Sequence, residues 1–158
     1  MNRVGIGYDV HPLVAGRRLV LGGVEISHTK GLAGHSDADA LCHAIADALY
    51  GALGTGDIGQ HFPNTDQANK NRSSLEFLRH ARDLATARHA KLVNIDATVI
   101  AEEPKLAPYV SKMKDTIAQI LGIEPDRVGL KATTNEQLGF IGRGEGIAAM
   151  AVASIEIP

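Results

Sequence analysis

Apolar residues alternate with small or polar ones from Arg3 to His11. Val4, Ile6, Tyr8 and Val10 fill one side while Asp9 and His11 project to the other, a period of two that predicts a strand over residues 3–11. The run Leu19–Ile26 is apolar around Gly22 and Gly23 and predicts a short strand pair or a bulged strand. From about Ala38 to Leu53 the pattern changes. Leu41, Ile45, Ala48 and Ala52 recur at helical spacing, and Asp39, His43 and Asp47 share another face. Ser36 followed three residues later by Asp39 resembles a capping box for this helix.

The stretch Gly54–Arg72, rich in Gly, Asn, Asp and Lys, predicts a long mobile loop. A second helix is expected over 74–88, with Ser73 and Glu76 as its capping pair. Leu92–Ala101 predicts a strand, Pro108–Leu121 a helix stopped by Gly122, and Val128–Thr133 another strand. The closing run Gly146–Ile157 is apolar enough for the interior of a sheet. Helices alternating with strands predict an α/β (α+β) two-layer sandwich, a mixed sheet with helices packed on one face. A chain of 158 residues suits one domain, here expected over 1–158, and is short for two.

Composition narrows the partners. A net charge of −2 with no basic stripe argues against nucleic acid. No apolar run approaches the roughly 20 residues that span a bilayer, so no membrane partner is expected. The chain begins on a strand pattern, without a signal-type apolar region or an Arg/Ser-rich transit segment, and a cytoplasmic protein is expected. The single Cys42 excludes an internal disulfide and fits a reducing compartment. Cys42 lies about 100° around the helix from His43, which suits packing and not nucleophilic chemistry.

Four groups of residues can carry chemistry. Asp9 and His11 project together from a strand, and with His43 they offer one oxygen and two nitrogen ligands for a divalent metal, leaving one tetrahedral position open. The competing reading is a His-rich surface patch. Asp39 and Asp47, each one helical turn from His43, are candidates for the carboxylate that orients a ligating imidazole. Gly34-His35-Ser36-Asp37 precedes a helix N-terminus, where free amides attract anions; plain capping by Ser36 explains the serine but not His35. Lys131–Glu136 ends a strand with two hydroxyls, an amide and a carboxylate, which suits phosphate and Mg²⁺ as well as it suits a polar turn. Ala101–Ala107 joins a strand to a helix, and ligands of open α/β sheets gather at such carboxyl ends. The Gly-rich run Gly139–Gly146 is neither a dinucleotide fingerprint nor a P-loop.

Taken in order, GYDVHP (residues 7–12), GHSDADALCHAIADAL (34–49), GDIGQHFPNTD (56–66), AEEPKLAP (101–108) and KATTNEQLGFIGRGEGIAA (131–149) resemble the 2-C-methyl-D-erythritol 2,4-cyclodiphosphate synthase family. The likeness runs from Arg3 to about Ile157. It implies a cyclising phosphoryl transfer in the non-mevalonate route to isoprenoid precursors. The 2-phosphate of 4-diphosphocytidyl-2-C-methyl-D-erythritol 2-phosphate attacks the β-phosphorus, and CMP leaves. Such a transfer demands positioning and charge neutralisation more than a protein nucleophile.

The resemblance also implies roles. Asp9, His11 and His43 would hold zinc, with a substrate phosphate oxygen as fourth ligand, and Glu136 a second metal, Mg²⁺ or Mn²⁺. His35 and Thr134 match residues assigned to transition-state stabilisation; Ser36, Thr133 and Asn135 count among the substrate-binding positions. Asp57, Ile58 and Gly59 would hold the methylerythritol part beneath a flexible loop of Phe62, Pro63, Asn64, Thr65 and Asp66. Ala101, Glu102, Glu103, Pro104, Lys105, Leu106 and Ala107, with Ala132 and Thr133, would form a cytosine pocket largely from backbone groups, Lys105 lying near the diphosphate. The family implies a homotrimer with active sites between subunits. Phe140 and Arg143 match positions near its central channel, where some members carry an isoprenoid diphosphate.

One position departs from the pattern. Asn64 stands where the family usually has Asp, which keeps hydrogen bonding to a diol and removes a charge, so altered affinity is expected, not lost activity. Two other classes compete with the cyclase. A zinc phosphohydrolase would release inorganic phosphate, and a nucleotide-sensing or lipid-diphosphate-binding trimer would turn nothing over.

Overall fold

The computed structural model describes residues 1–158. Strand β1 (Asn2–Ala15) is longer than its alternating core and pairs antiparallel with β7 (Gly146–Glu156) along nearly its whole length. Strands β2 (Leu19–Leu21) and β3 (Val24–Ile26) form a separate hairpin about Gly22 and Gly23, whose φ angles of 59° and 72° suit the tight turn that only glycine adopts freely. Short β4 (Lys30–Leu32) pairs with the end of β1. With β5 (Lys91–Ile100) and β6 (Val128–Thr133) the main sheet runs β4-β1-β7-β5-β6, antiparallel except for the β5–β6 pair. The mixed sheet is therefore as expected, and β7 lies inside it.

Helix α1 (Ala40–Leu53) is buried on nearly every side, not along one stripe. It lies on β1 and β7 and is flanked by α3 (Leu75–Ala87), so alanines at 40, 44, 46, 48 and 52 are all buried. Gly5 and Gly7 let it approach β1: an added Cβ would stand 2.0 Å from the Ala48 carbonyl oxygen at Gly5 and 1.9 Å from that of Ala44 at Gly7. Helix α4 (Val110–Leu121) covers the β6 side of the same face and ends at Gly122, whose φ is +69°. The opposite face is open. Val4 and Ile6 are each 66% exposed, and Met150 and Val152 are exposed beside them. No helix is long and apolar enough to cross a membrane.

Several local expectations change. Helix α1 starts at Ala40, because Ala38 takes φ +57° and Asp39 is the N-cap, accepting from the Cys42 N–H; no Ser36–Asp39 capping box forms. Helix α3 starts at Leu75 without a Ser73–Glu76 pair, since Glu76 is drawn to Arg72 one turn back. A 3₁₀ turn, Ala107–Tyr109, precedes α4. The expected loop 54–72 contains helix α2 (Ile58–His61), capped by Asp57, and a 3₁₀ turn, Gln67–Asn69, capped by Asp66. Segments of three or four residues carry no periodicity to read. The Gly-rich segment likewise holds a short helix α5 (Gly139–Gly142).

Candidate active site

Asp9 and His11 leave the helix-covered face of β1 and meet His43 from the first turn of α1. His11 Nε2 and His43 Nδ1 lie 2.8 and 3.1 Å from Asp9 Oδ2, and 3.3 Å from each other. Ligands at 2.0–2.1 Å from a tetrahedral zinc stand about 3.3 Å apart, so the three atoms are spaced to share one ion. His11 Nδ1 lies 3.0 Å from the Ala33 carbonyl and donates to it, which leaves the Nε2 lone pair of neutral His11 facing the cluster. An electron-rich convergence of this kind is answered by a cation or a proton. Burial alone would push His11 down and Asp9 up. The hydrogen bonds and opposite charges between them outweigh it, holding Asp9 below the ordinary carboxylate range and His11 above the ordinary imidazole.

The carboxylates expected to orient His43 do something else. Asp39 is wholly buried and accepts from the N–H groups of Gly22 (2.9 Å), Gly23 (2.7 Å) and Cys42 (3.0 Å), which fixes the β2–β3 turn against α1. Burial and neighbouring Asp37 push its pKa up, against the pull of those donors. Asp47 accepts from the Ile58 N–H at 2.8 Å and ties α2 to α1. What touches His43 Nε2 is a pair of hydroxyls, Ser74 Oγ at 2.8 Å and Ser36 Oγ at 3.1 Å. Ser74 had no signal as a partner of His43 in the sequence, because the contact spans 31 residues. Cys42 is buried, and burial with the Asp39 charge pushes its thiol well up, consistent with packing.

A cleft of about 290 Å³ opens beside the donors. It gathers Asp9, His11, His35, Ser36, His43, Asp57, Ile58, Gly59, Phe62 and Asn64 with Asp47, and adds Asn69 and Phe77, which the sequence did not mark. His35 Nε2 lies 3.3 Å from the Asp66 carbonyl, and the Asn69 amide donates to the Pro63 carbonyl at 2.9 Å, so segment 62–66 folds back over the cleft rim. Pro63, Thr65 and Asp66 do not line it.

A second cavity, about 210 Å³, is lined by Ala101, Glu102, Pro104, Lys105, Leu106, Ala107, Ala132, Thr133 and Thr134 and shares no residue with the first. Glu103 and Arg143 line a third, with Glu102. Glu102 Oε1 accepts from the N–H groups of Asn135 (2.9 Å) and Gln137 (3.1 Å), holding a turn in which Glu136 and Gln137 take positive φ. Thr134 Oγ1 lies 3.3 Å from Glu136 Oε1, and neither residue lines the metal-type cleft. Phe140 is exposed, and Arg143 pairs with Glu145 at 2.9 Å.

Register relates the two halves. Val10 pairs with Ala148, Ala148 with Ile100, and Ile100 with Thr133, so Asp9, His11 and Thr133 sit at one end of the sheet. Three strand spacings separate β1 from β6, roughly 14 Å at 4.7–4.9 Å each.

A mixed sheet with helices on one face, and two imidazoles and a carboxylate converging in an open polar cleft, have the form of an enzyme whose active site can hold a divalent metal. The chain belongs to the YgbB family, whose profile matches residues 2–156. It is similar to 2-C-methyl-D-erythritol 2,4-cyclodiphosphate synthase of Alkaliphilus metalliredigens, 58% identical over 153 residues that cover 97% of this chain and 96% of that one. Among solved structures it resembles the bifunctional IspDF of Campylobacter jejuni (TM-score 0.96, 42% identity), covering 100% of this chain and 43% of that longer one. It also resembles a CDP complex of Plasmodium falciparum IspF (TM-score 0.87, 35% identity), covering 99% of this chain and 96% of that one.

Proposed function

We propose that this chain, as one domain, converts 4-diphosphocytidyl-2-C-methyl-D-erythritol 2-phosphate into 2-C-methyl-D-erythritol 2,4-cyclodiphosphate and CMP, in the non-mevalonate route to isoprenoid precursors. The observation that carries the reading is the spacing of Asp9 Oδ2, His11 Nε2 and His43 Nδ1 beside the cleft, joined to 58% identity with a synthase over nearly the whole chain. A bond forms between the 2-phosphate oxygen and the β-phosphorus, and the bond from that phosphorus to the bridging oxygen breaks as CMP departs.

The donor set fits zinc, and Glu136 offers an oxygen suited to a harder ion, Mg²⁺ or Mn²⁺. Bound there, the ions supply charge neutralisation and polarise the phosphoryl oxygens. The chain's own residues do the rest. His35 and Ser36, at the cleft beside the start of α1, donate to phosphate oxygens, and Thr133 and Thr134 offer hydroxyls to the diphosphate. Asp57 and the backbone of Ile58 and Gly59 hold the diol, with Phe62 to Asp66 as a rim that excludes water. Backbone groups of Ala101 to Ala107 with Ala132 take the cytosine, and Lys105 faces the diphosphate.

A homotrimer with sites between subunits is part of the proposal. Two observations support it: the open apolar sheet face, and two cavities of one chain at the same sheet end that share no residue. A neighbouring subunit's β5–β6 end would bring its Thr134 and Glu136 to this chain's metal cleft. Phe140 and Arg143 would face the central channel, where an isoprenoid diphosphate is a possible further ligand, and the enzyme would work in the cytoplasm.

The test follows CMP and cyclic diphosphate from the 2-phosphate substrate with Mg²⁺, before and after zinc chelation, on protein of measured solution mass. Both products, their loss on chelation, and the mass of three chains are expected. Free phosphate would favour a hydrolase, and untouched substrate a binding protein.

A further inference from the structure

We propose that Ser74 and Asp37 are positioning residues that select the His43 tautomer, keeping the proton on Nε2 and the Nδ1 lone pair toward the metal. The inference rests on the reading that Asp9, His11 and His43 hold a metal. It starts from a count of hydrogens. Ser74 Oγ is hydrogen-bonded to Asp37 Oδ1 and lies 2.8 Å from His43 Nε2. A hydroxyl has one hydrogen, and a carboxylate can only accept. Ser74 therefore gives its hydrogen to Asp37 and can only accept from His43, so Nε2 must be the nitrogen that carries the proton.

Asp37 is held to this role. Its Oδ2 accepts from the Ser74 N–H at 3.0 Å, its Oδ1 from the Asp39 N–H at 3.1 Å, and its own N–H donates to the Arg72 carbonyl at 3.1 Å. Ser36 cannot replace Ser74. Its Oγ accepts from the Ala38 N–H at 3.2 Å, but its hydrogen is committed to no carboxylate, so it suits either tautomer of His43. Nor does helix capping explain Ser74, a fully buried residue whose side chain makes no cap bond to α3. The result is a carboxylate–hydroxyl–imidazole relay. It stands where other metal sites place a carboxylate directly on the ligating histidine, and it fixes the tautomer and the orientation of the ring.

The experiment uses the full chain with zinc as the only probe. Zinc affinity is measured by chelator competition on the parent and on Ser74→Ala, Ser74→Thr and Asp37→Asn. The ¹⁵N shifts of the His43 imidazole are read in the metal-free parent. Ser74→Ala should bind zinc about 10–100-fold more weakly, the usual effect of losing a ligand's outer partner, and Ser74→Thr should restore most of the affinity. Asp37→Asn should weaken binding too, because an amide can donate to Ser74 and turn its hydrogen toward Nε2. The Nε2–H tautomer is expected in the parent. Affinity of Ser74→Ala within twofold of the parent, or an Nδ1–H tautomer, overturns the proposal. Should Ser74→Ala fail to fold, Asp37→Asn and the tautomer decide it. A parent that takes up no zinc would instead sink the metal reading, and the ¹⁵N shifts would still judge the relay.

Discussion

Replacing Gly7 by alanine puts a methyl carbon 1.9 Å from the Ala44 carbonyl oxygen and 2.9 Å from the Ala48 nitrogen. Both are backbone atoms of α1, so no side chain can swing aside. The nearer contact is about 1.5 Å short of the 3.4 Å at which contact becomes ordinary, and strand and helix must part by roughly that much. Asp9 and His11 ride on the strand, and His43 precedes Ala44 on the helix. The 3.1 Å between Asp9 Oδ2 and His43 Nδ1 would then open to roughly 4.5 Å, too far for both to reach one ion. Overpacking costs about 1–3 kcal/mol, and a misplacement of about 1 Å costs turnover about a hundredfold. Zinc affinity should fall at least about tenfold. Two comparisons separate site from fold. Gly5→Ala meets the Ala48 oxygen at 2.0 Å one turn further on, so it should lose similar stability and less zinc affinity. Gly51→Ala, whose nearest neighbour would be 3.7 Å away, should gain about 0.5–1 kcal/mol from helix propensity. Urea midpoints and chelator competition measure all three. A Gly7→Ala protein with the parent's zinc affinity and a stability within about 0.5 kcal/mol refutes the claim that this crossing sets the metal geometry.

Asp39→Asn keeps one acceptor oxygen but sets an amide N–H₂ against the Gly23 N–H, so about 1–3 kcal/mol should be lost in urea unfolding while zinc affinity holds; a zinc loss at unchanged stability would give Asp39 back an orienting role. His80 Nδ1 lies 2.8 Å from the Tyr50 hydroxyl, and burial with neighbouring His61 depresses its pKa below the ordinary imidazole. The unfolded chain therefore binds the proton first as pH falls, so His80's contribution is present above about pH 6.5 and is lost on acidification toward its lower folded value. Stability of the zinc-loaded protein between pH 7 and 5 should slope less in His80→Asn, and parallel slopes would contradict this.

The sequence exposed what depends on local spacing. The alternation of β1 marked Asp9 and His11 as neighbours on one face, and α1 ran to Leu53 as its apolar positions required. Hidden were contacts that only tertiary folding makes: Ser74 reaching His43 across 31 residues, and the Ala33 carbonyl that sets the His11 tautomer. Also hidden was the reason for Gly5 and Gly7, which in the sequence are merely breaks in a strand and in the fold are the clearance for a helix. The open sheet face was only half legible for a related cause. Alternation shows that Val4, Ile6, Tyr8 and Val10 share a side, but not whether anything of the same chain covers it.

Asp39, His43 and Asp47 stand one helical turn apart on one face of α1, each about 6 Å further along the axis. Their common face suggested a common site, with either carboxylate a candidate to orient the imidazole between them. Instead each residue grips a different part of the chain. Asp39 takes the N–H groups of the β2–β3 turn, His43 meets β1 at the metal position, and Asp47 takes the first N–H of α2, whose helix and following segment rim the cleft. One turn further, Tyr50 stacks on His61 at 4.4 Å and bonds His80 of α3. A buried carboxylate that holds backbone donors has little freedom to shift, because moving it strands several N–H groups at once. Helix α1 thus sets the Asp9–His11–His43 side and the Asp57–Gly59 side of the cleft by the same rigid axis. A displacement of that axis has to move both together, which is why the glycines beneath it matter to chemistry they never touch.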